Sequence, residues 1–294
     1  MMNLTKKLEL MQDMTESEKT ISHFILDQGM EVLSLSVKDL AKATYTSPAT
    51  VVRLTKKLGL DGYNDFKIKY SAELQSTLHT SGVDVNFPFT EYDSAQQVVH
   101  QMATMTKEVI DDTLQLIDYV QLDRAVKLIL QAECIDIYGV GNTISAALTF
   151  QHELTRIGRN VNMRLMAGEQ HFLAQTSNPK HVAVVISYSG ETSEVIRTAR
   201  ILSASHTPII AITSIGDNRL SRLATVTLNV SSREKLYKKI APFASTISIN
   251  YMLNLLFSLT FKNDYDVNLD WKLRFDRMTD NRAPQSSPII EDNH

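Results

Sequence analysis

The chain has 294 residues, a length that predicts one or two domains, and its 30 basic and 33 acidic side chains give a formal net charge of −3. Hydrophobic residues make up 43% and charged residues 21%, which is ordinary for a folded protein and excludes a disordered chain, a collagen and a coiled-coil rod. The net charge also argues against a protein that binds nucleic acid through bulk positive charge.

The first 75 residues carry the periodicity of helices. Leu4, Leu8 and Met11 recur at helical spacing. Thr15 and Glu18 have the spacing of a capping box, in which a hydroxyl and a carboxylate three residues later bind the backbone at the start of a helix. Further short helices are predicted over 36–43, 47–58 and 62–75.

Two of these helices form a pair joined by a tight turn. Ser47 suits the N-cap of the second helix, Pro48 its first position and Gly59 the residue after its end. Val51, Leu54 and Leu58 form its apolar face, and Thr50, Arg53 and Lys57 form its polar face, with Ala49 and Lys56 beside them. Such a helix suits the major groove of DNA, because small residues allow close approach and Arg53 can reach a base edge or a phosphate.

The charge around this pair differs from that of the whole chain. Between Ser36 and Tyr70 there are seven basic and three acidic residues, so this segment is +4 and the remainder is −7. A basic patch supplies the phosphate contacts of DNA binding. The alternative interpretation is an ordinary solvated helix pair. Tyr45 favours it slightly, because it stands in the turn where such pairs often have glycine and a bulky residue disfavours positive φ.

A polar stretch at 76–92, broken by Gly82 and Pro88, is the predicted linker. Beyond it, apolar residues at helical spacing resume between Val98 and Ile110, and a short helix is predicted over 123–131. Strands then alternate with helices, which predicts a parallel sheet with helices on both faces. The predicted strands are Ile135–Val140, Val161–Leu165, His181–Ser187, Pro208–Thr213 and Val226–Val230, and the predicted helices are 143–157, 191–204 and 242–261. Residues 280–294 are expected to be a frayed tail.

Small polar loops follow two of these strands, at the sheet edge where ligands of parallel sheets bind. The first loop contains Gly139-Val140-Gly141-Asn142-Thr143, and the second contains Ser187-Tyr188-Ser189-Gly190-Glu191-Thr192. Glycine backbone, free helix N–H groups and hydroxyls suit a phosphate. Ile144 stands where a dinucleotide fingerprint needs its third glycine, and no Gly-Lys-Ser/Thr sequence follows, so dinucleotide sites and P-loops are excluded. The alternative is a capped helix whose serine hydroxyls hydrogen-bond only to the nearby backbone.

The second loop, about fifty residues beyond Gly-Val-Gly-Asn-Thr, resembles that of the sugar isomerase (SIS) domain. Residues 49–67, from Ala-Thr-Val-Val-Arg to Asn-Asp-Phe-Lys, resemble the helix-turn-helix of RpiR-type bacterial transcription regulators, which carry a SIS domain behind it. The resemblance implies an α/β protein in which an all-α helix-turn-helix domain precedes an α/β/α SIS domain with a five-stranded parallel sheet. The expected boundaries are 1–77 for the DNA-binding domain, 78–105 for a linker and connecting helix, 106–262 for the SIS domain and 263–294 for a partly disordered extension.

The resemblance also implies site residues. The operator contacts are assigned to Lys38, Thr46, Ser47, Ala49, Thr50, Arg53, Lys56, Lys57, Tyr63 and Lys67. The ligand contacts are assigned to Gly141, Asn142, Thr143, Glu169, His171, Ser187, Ser189, Gly190, Glu191, Thr192, Lys239 and Ser245. Asn142-Thr143 replaces the usual serine pair of the family, so the first loop departs from the pattern in geometry. Glu191 is expected either to contact a sugar hydroxyl or to cap its helix.

These residues imply a non-enzymatic regulator whose affinity for operator DNA depends on a phosphorylated sugar. No catalytic residue, metal or cofactor is expected. The alternative is a sugar-phosphate isomerase with an accessory helical domain, for which Glu191, Glu169, His152 and His171 are candidate bases. A third interpretation is a protein-interaction adaptor.

A homo-oligomer, dimer or tetramer, is expected because operators are often palindromic. The helix at 242–261 could form that interface through Met252, Leu255, Leu256 and Leu259, or it could simply cover the sheet.

The single cysteine, Cys134, permits no intrachain disulfide and is interpreted as a buried structural residue. No segment approaches the ~18 apolar residues of a membrane span, and the charged N-terminus lacks the apolar core of a signal peptide. A cytoplasmic protein without a membrane partner is expected.

Overall fold

The computed structural model of the chain describes residues 4–11, 14–79, 82–166 and 168–279. Its N-terminal part is helical, as predicted. The helices are α1 (Leu4–Leu10), α2 (Glu16–Gln28), α3 (Val37–Ala43), α4 (Pro48–Lys57) and α5 (Tyr63–His79), with a 3₁₀ turn at Gly29–Ser34 between α2 and α3.

The predicted helix ends are confirmed by the hydrogen bonds at their caps. The Thr15 hydroxyl accepts from the Glu18 N–H while the Glu18 carboxylate accepts from the Thr15 N–H, so the capping box of α2 is complete. Ser47 caps α4 and Pro48 is its first residue. Gly59, just past the end of α4, has φ of +83°. Tyr45 does adopt the strained conformation that its turn requires, with φ of +53° and a side chain that is 98% exposed.

The apolar face of α4 packs into one core with the neighbouring helices. Val51, Leu54 and Leu58 are buried there against Phe66 and Tyr70 of α5, whose rings stack at 5.1 Å between centroids. Burial of such side chains stabilises the fold by about 1.5–3 kcal/mol each. The predicted inward face of the second helix is therefore confirmed.

The C-terminal part is an α/β/α sandwich around five parallel strands. The strands are β1 (Cys134–Gly139), β2 (Val161–Met163), β3 (His181–Ile186), β4 (Ile209–Ser214) and β5 (Val226–Val230), in the order β2-β1-β3-β4-β5. The helices are α6 (Ala95–Gln115), α7 (Tyr119–Gln131), α8 (Thr143–Arg156), α9 (Glu169–Thr176), α10 (Ser193–Ala204), α11 (Phe243–Asn263) and α12 (Tyr265–Thr279), with a 3₁₀ turn at Ser221–Leu223. All five predicted strands form, within two residues of their predicted ends.

Side chains of alternating direction cover the two faces of the sheet. Ile137 and Val184 point to the face covered by α7, α8 and α11, whereas Tyr138 and Val185 point to the face covered by α9 and α10. The central strands β1, β3 and β4 are buried on both faces, which is why they read as largely apolar runs, whereas the edge strand β5 alternates buried and half-buried residues.

Helix α11 covers the sheet. Met252 and Leu256 are buried in the core beside Phe150 of α8, and α11 also contacts α6 and β5. Of the two roles considered for this helix, the structure shows the covering one. These two side chains are not available for an interface between subunits, so that hypothesis was wrong for them, because their apolar surface is already buried within one chain.

Two stretches differ from the simple sequence pattern. Part of the predicted linker is helical, since α5 continues to His79. Within the predicted extension from residue 263, α12 forms, and its Trp271 ring lies against Gly158 after α8. The tail predicted at 280–294 lies outside the described residues. Among the residues that the structure describes, no helix combines the length and apolar character needed to cross a membrane.

Candidate functional site

A cavity of about 150 Å³ lies at the carboxyl ends of β1 and β3, where the two polar loops meet. The segment after β5 and the start of α11 close its other side. Its polar wall includes Asn142, Thr143, Ser187, Ser189, Thr192, Glu234, Lys239 and Ser245. Its apolar wall includes Ala146, Ile186, Leu236 and Ile249. A concave cavity that combines apolar walls with a few polar side chains is typical of a small-molecule site.

The loop after β3 has the features of a phosphate site. The hydroxyls of Ser187 and Thr192 lie 3.2 Å apart, and the Ser189 hydroxyl accepts from the Glu191 N–H at 3.2 Å. Thr192 is the N-cap of α10, and its side chain makes no capping hydrogen bond. The N-terminal amides of α10 and three hydroxyls therefore converge where the loop turns, and these are the donors that a phosphate uses.

Gly190 allows this loop to turn as tightly as it does. Its φ is +64°, and a Cβ at this position would overlap the side-chain amide of Asn218. Its N–H donates to the Ser187 carbonyl at 3.0 Å. Glycine meets both demands because it has no side chain and tolerates positive φ.

The opposite wall of the cavity is built on a buried carboxylate. Lys239 Nζ lies 2.5 Å from Glu234 Oε1, and the other oxygen of Glu234 accepts from the Ser245 N–H at 2.8 Å. The Ser245 hydroxyl donates to Oε1 at 2.9 Å. Tyr188 brings the two walls together, because its hydroxyl donates to the Glu234 carbonyl at 3.1 Å. Burial, and then the charge of Glu234, raise the pKa of Tyr188, so it remains a neutral hydrogen-bonding group.

The first loop presents two polar side chains to the cavity. The Thr143 hydroxyl donates to the Val140 carbonyl at 3.0 Å at the start of α8, and Asn142 is the N-cap but makes no side-chain capping bond. Both residues line the cavity, and Asn142 can still donate to a ligand there.

In the N-terminal domain, a single buried carboxylate binds two cationic side chains of α4. The buried Glu18 side chain accepts from Arg53 Nε at 3.3 Å and from Lys57 Nζ at 2.8 Å. Burial raises the pKa of Glu18, but hydrogen bonds from Lys57 and Thr15 outweigh it and lower the pKa to about 2. The Arg53 side chain stays 62% exposed, and Lys56 is also exposed, so the outer face of α4 remains cationic.

Comparison with known proteins separates the chain into two family regions. The helix-turn-helix domain of the rpiR family matches residues 2–77, and the SIS domain matches residues 128–259. An HTH-type transcriptional regulator of Caldanaerobacter subterraneus subsp. tengcongensis is 30% identical over 262 residues, covering 88% of this chain and 90% of the relative. An HTH-type transcriptional regulator of Clostridium perfringens is 27% identical over 260 residues, covering 88% and 92%.

The chain belongs to the RpiR family of helix-turn-helix transcriptional regulators.

A solved structure with both domains is also similar to this RpiR-family chain. The Vibrio vulnificus NanR protein complexed with ManNAc-6P is 26% identical, with a TM-score of 0.60 and coverage of 94% of this chain and 97% of that one. The sugar isomerase domain of an RpiR transcription factor from Sphaerobacter thermophilus is 18% identical with a TM-score of 0.56, covers 62% of this chain, and supports the fold alone.

The structure brings together most of the predicted ligand residues of this RpiR-family regulator. Asn142, Thr143, Ser187, Ser189, Thr192, Lys239 and Ser245 line one cavity, and Gly141 and Gly190 shape its loops. Glu191, Glu169 and His171 lie outside the cavity lining. Glu191 points to Arg219, whose Nε lies 2.5 Å from its Oε2, and Glu169 and His171 belong to α9.

The predicted operator residues fall into two groups. Lys38, Ser47, Ala49, Arg53, Lys56 and Lys57 are exposed, and Thr46 is half-buried. The other three are buried or half-buried. Thr50, predicted on the outer face, is 8% exposed and its hydroxyl lies 2.9 Å from that of Ser47. Tyr63 and Lys67 donate to the Leu35 carbonyl beneath α5.

Sequence reasoning missed Glu234, Tyr188, Leu236 and Thr246 as lining residues of the cavity. A signal for Glu234 existed, because it follows β5 and the carboxyl ends of parallel strands form the binding edge. Tyr188 belongs to the second loop, but the sequence of that loop does not show that the Tyr188 hydroxyl reaches the segment after β5.

One further cluster contains the residue types that bind metals. Cys134, Asp136 and His181 have candidate ligand atoms within 4.8 Å of one another at the other end of the sheet. Asp136 accepts from Ser177 at 2.5 Å and Asn162 at 3.1 Å, and His181 Nδ1 lies 2.8 Å from it. These partners satisfy the carboxylate without an ion. Burial raises the pKa of Cys134 to about 11, so this buried residue is a neutral thiol.

Proposed function

We propose that this chain regulates transcription by binding operator DNA through α4, with an affinity that a phosphorylated sugar in the cavity at β1 and β3 controls. The observation that carries the proposal is the convergence of three hydroxyls and the start of α10 on one cavity, in a chain that also carries a cationic helix-turn-helix. Phosphate recognition and DNA recognition each have their own surface.

The Vibrio protein is complexed with ManNAc-6P, so a phosphorylated amino sugar is the first effector to test. In this chain the loop with Ser189 would bind the phosphate, and Glu234 and Lys239 would meet the sugar hydroxyls. The apolar wall at Leu236 and Ile249 offers a surface for a nonpolar substituent. A thermal-shift screen with sugar phosphates tests this, since a ligand at 100 times its Kd adds about 2.7 kcal/mol to the free energy of unfolding and so raises the melting temperature.

We propose that the effector is bound without turnover. An isomerase needs a base whose pKa lies near the operating pH. Hydrogen bonds from Arg219 outweigh burial and lower the pKa of Glu191, and Glu234 is held by Lys239 and Ser245. The alternative isomerase function predicts turnover of a ketose phosphate that is lost in Glu191→Gln.

Ser189→Ala tests the phosphate loop. We expect the variant to bind its sugar phosphate about 10- to 100-fold more weakly, because a hydrogen bond to a charged group contributes about 1.5–3 kcal/mol. The measurement is calorimetric titration. Ser193→Ala, which removes a hydroxyl from the first turn of α10 outside the cavity lining, is the control and should bind normally. Equal affinities of both variants would contradict the role of Ser189.

Arg53→Ala tests the DNA surface. We expect operator binding to weaken by about 1–3 kcal/mol, because Arg53 is placed to reach a base edge or a phosphate. Fluorescence anisotropy with DNA from upstream of its own gene, at several salt concentrations, gives the affinity. Lys127→Ala, an exposed lysine of α7 paired with Asp123, is the control and should leave it unchanged. Absence of any sequence preference in the unaltered protein would refute the proposal.

We further propose that the protein acts as a homo-oligomer, because a two-fold dimer presents two copies of α4 to a palindromic operator. Light scattering of the full chain with and without operator DNA tests the oligomeric state.

A further inference from the structure

The loop that follows β4 is fastened to the phosphate loop. The Leu220 N–H donates to the Gly190 carbonyl at 3.1 Å, and the Asn218 side chain fills the space that the missing Cβ of Gly190 leaves. Arg219 binds Glu191 three times, with its N–H and Nη2 each at 2.8 Å and its Nε at 2.5 Å. A displacement of residues 189–191 therefore displaces residues 217–220 as well.

The same loop binds the N-terminal domain. Asp217 Oδ2 lies 2.8 Å from Lys19 Nζ of α2, and Arg222 holds the Asp217 carboxylate from within the loop at 2.7 and 2.9 Å. Lys19 also pairs with Glu16 at 3.1 Å. Hydrogen bonds from Arg222 and Lys19 hold the pKa of Asp217 well below its usual range, so the carboxylate is charged under physiological conditions.

Lys19 is adjacent to the residue that organises the DNA-facing helix. Its neighbour Glu18 binds Arg53 and Lys57 of α4 and completes the cap of α2 at Thr15. The first turn of α2 is thus bound to the loop after β4 on one side and to α4 on the other. Because packed interiors transmit strain, we expect a shift at Lys19 to reach the cations of α4.

We propose that the Lys19–Asp217 ion pair is the contact through which effector binding at the phosphate loop changes the operator affinity of α4. The proposal rests on the proposed function, since it assumes that a sugar phosphate and DNA bind the two sites. A phosphate bound by Ser189 and the start of α10 favours one arrangement of residues 189–191. Through Asn218 and Asp217, that arrangement favours one position of α2. The two ligands are then coupled by their different affinities for two positions of the helix-turn-helix.

Lys19→Met and Asp217→Asn test the contact, with the full chain, operator DNA and ManNAc-6P as the first probe. The quantity measured is the ratio of the operator Kd with and without the sugar phosphate. We expect each variant to move this ratio about 3- to 5-fold towards 1, the effect of losing one partly exposed ion pair. Lys19→Arg, which keeps the charge, should retain the ratio. Lys180→Met, which breaks the exposed Lys180–Glu133 pair, is the matched control and should also retain it.

The outcomes separate the two proposals. If no sugar phosphate changes the melting temperature or the operator Kd of the unaltered protein, the proposed function fails. If the unaltered protein responds and both variants respond with the same ratio, only the coupling contact is refuted. A variant that weakens operator binding equally with and without effector also refutes it, because the ion pair would then support DNA binding without coupling it to the effector. Unchanged melting of the variants without ligand shows that they fold.

Discussion

Gly190→Ala is expected to destabilise the protein by about 2–5 kcal/mol and to abolish effector binding. A residue with a side chain at φ of +64° costs about 1–2 kcal/mol, and forcing a methyl group into a packed site costs about 1–3 kcal/mol. The obstacle is the Asn218 amide, which cannot withdraw freely. It donates to the Thr213 hydroxyl at 3.1 Å and accepts from the Ser221 N–H at 2.9 Å. The methyl group therefore displaces the loop that binds the phosphate.

Gly141→Ala is the matched control for this prediction. Gly141 has nearly the same φ, +60°, but among the described residues no atom outside its two chain neighbours lies within 4 Å of the position that its Cβ would take. Gly141→Ala should therefore lose only the stability that the unfavourable backbone conformation costs, about 1–2 kcal/mol. Thermal denaturation of both variants, with and without effector, gives the comparison. Equal destabilisation of the two would show that Asn218 yields to the methyl group and that the contact does not constrain the loop.

Glu18→Gln is expected to destabilise the N-terminal domain by up to about 3 kcal/mol at pH 7. The amide keeps the shape of the side chain and can still accept from Thr15, but it loses the charge that binds Arg53 and Lys57. The folded-state pKa of about 2, below the ordinary 4.5, corresponds to stability of this size.

The pH dependence provides the test of this prediction. Because the folded-state pKa is depressed, the contribution of Glu18 is fully present above about pH 4.5 and is lost as the pH falls towards 2. In urea denaturation, the difference in free energy of unfolding between the unaltered protein and Glu18→Gln should disappear over that interval. The control is Glu133→Gln, an exposed partner of Lys180, which should change stability by less than about 1 kcal/mol. A difference in free energy of unfolding that does not depend on pH would contradict the ionic role of Glu18.

Local sequence signals predicted the elements of this fold well. The capping box at Thr15, the Ser47-Pro48 start of α4 and the glycine after its end act within a few residues, so the sequence shows them directly. The central strands β1, β3 and β4 were predictable because both of their faces are buried and their sequences are largely apolar. The helix α12 was not, because its many polar residues obscure the contact that Trp271 makes with Gly158.

The candidate cavity was predicted only in part. The hydroxyls after β3 lie close together in the chain, and parallel strands bring the loop after β1 beside them. Glu234 is 47 positions from Ser187 in the chain, and only the closure of the segment after β5 over the cavity brings it near. Glu191 was a plausible ligand contact, yet its partner Arg219 lies in a different loop, and no local pattern predicts that pairing.

By itself the sequence determined the two domains, the cationic helix-turn-helix in a chain of net charge −3, and a hydroxyl-rich loop suited to phosphate. These features depend on residues that are close together in the chain and on the chemistry of their side chains, so the sequence shows them directly. The tertiary structure alone decided that Glu18 organises the cations of α4, that α11 covers the sheet, and that Lys19 meets Asp217. Such pairings depend on how distant segments pack, and packing selects one arrangement among many that the same local pattern allows.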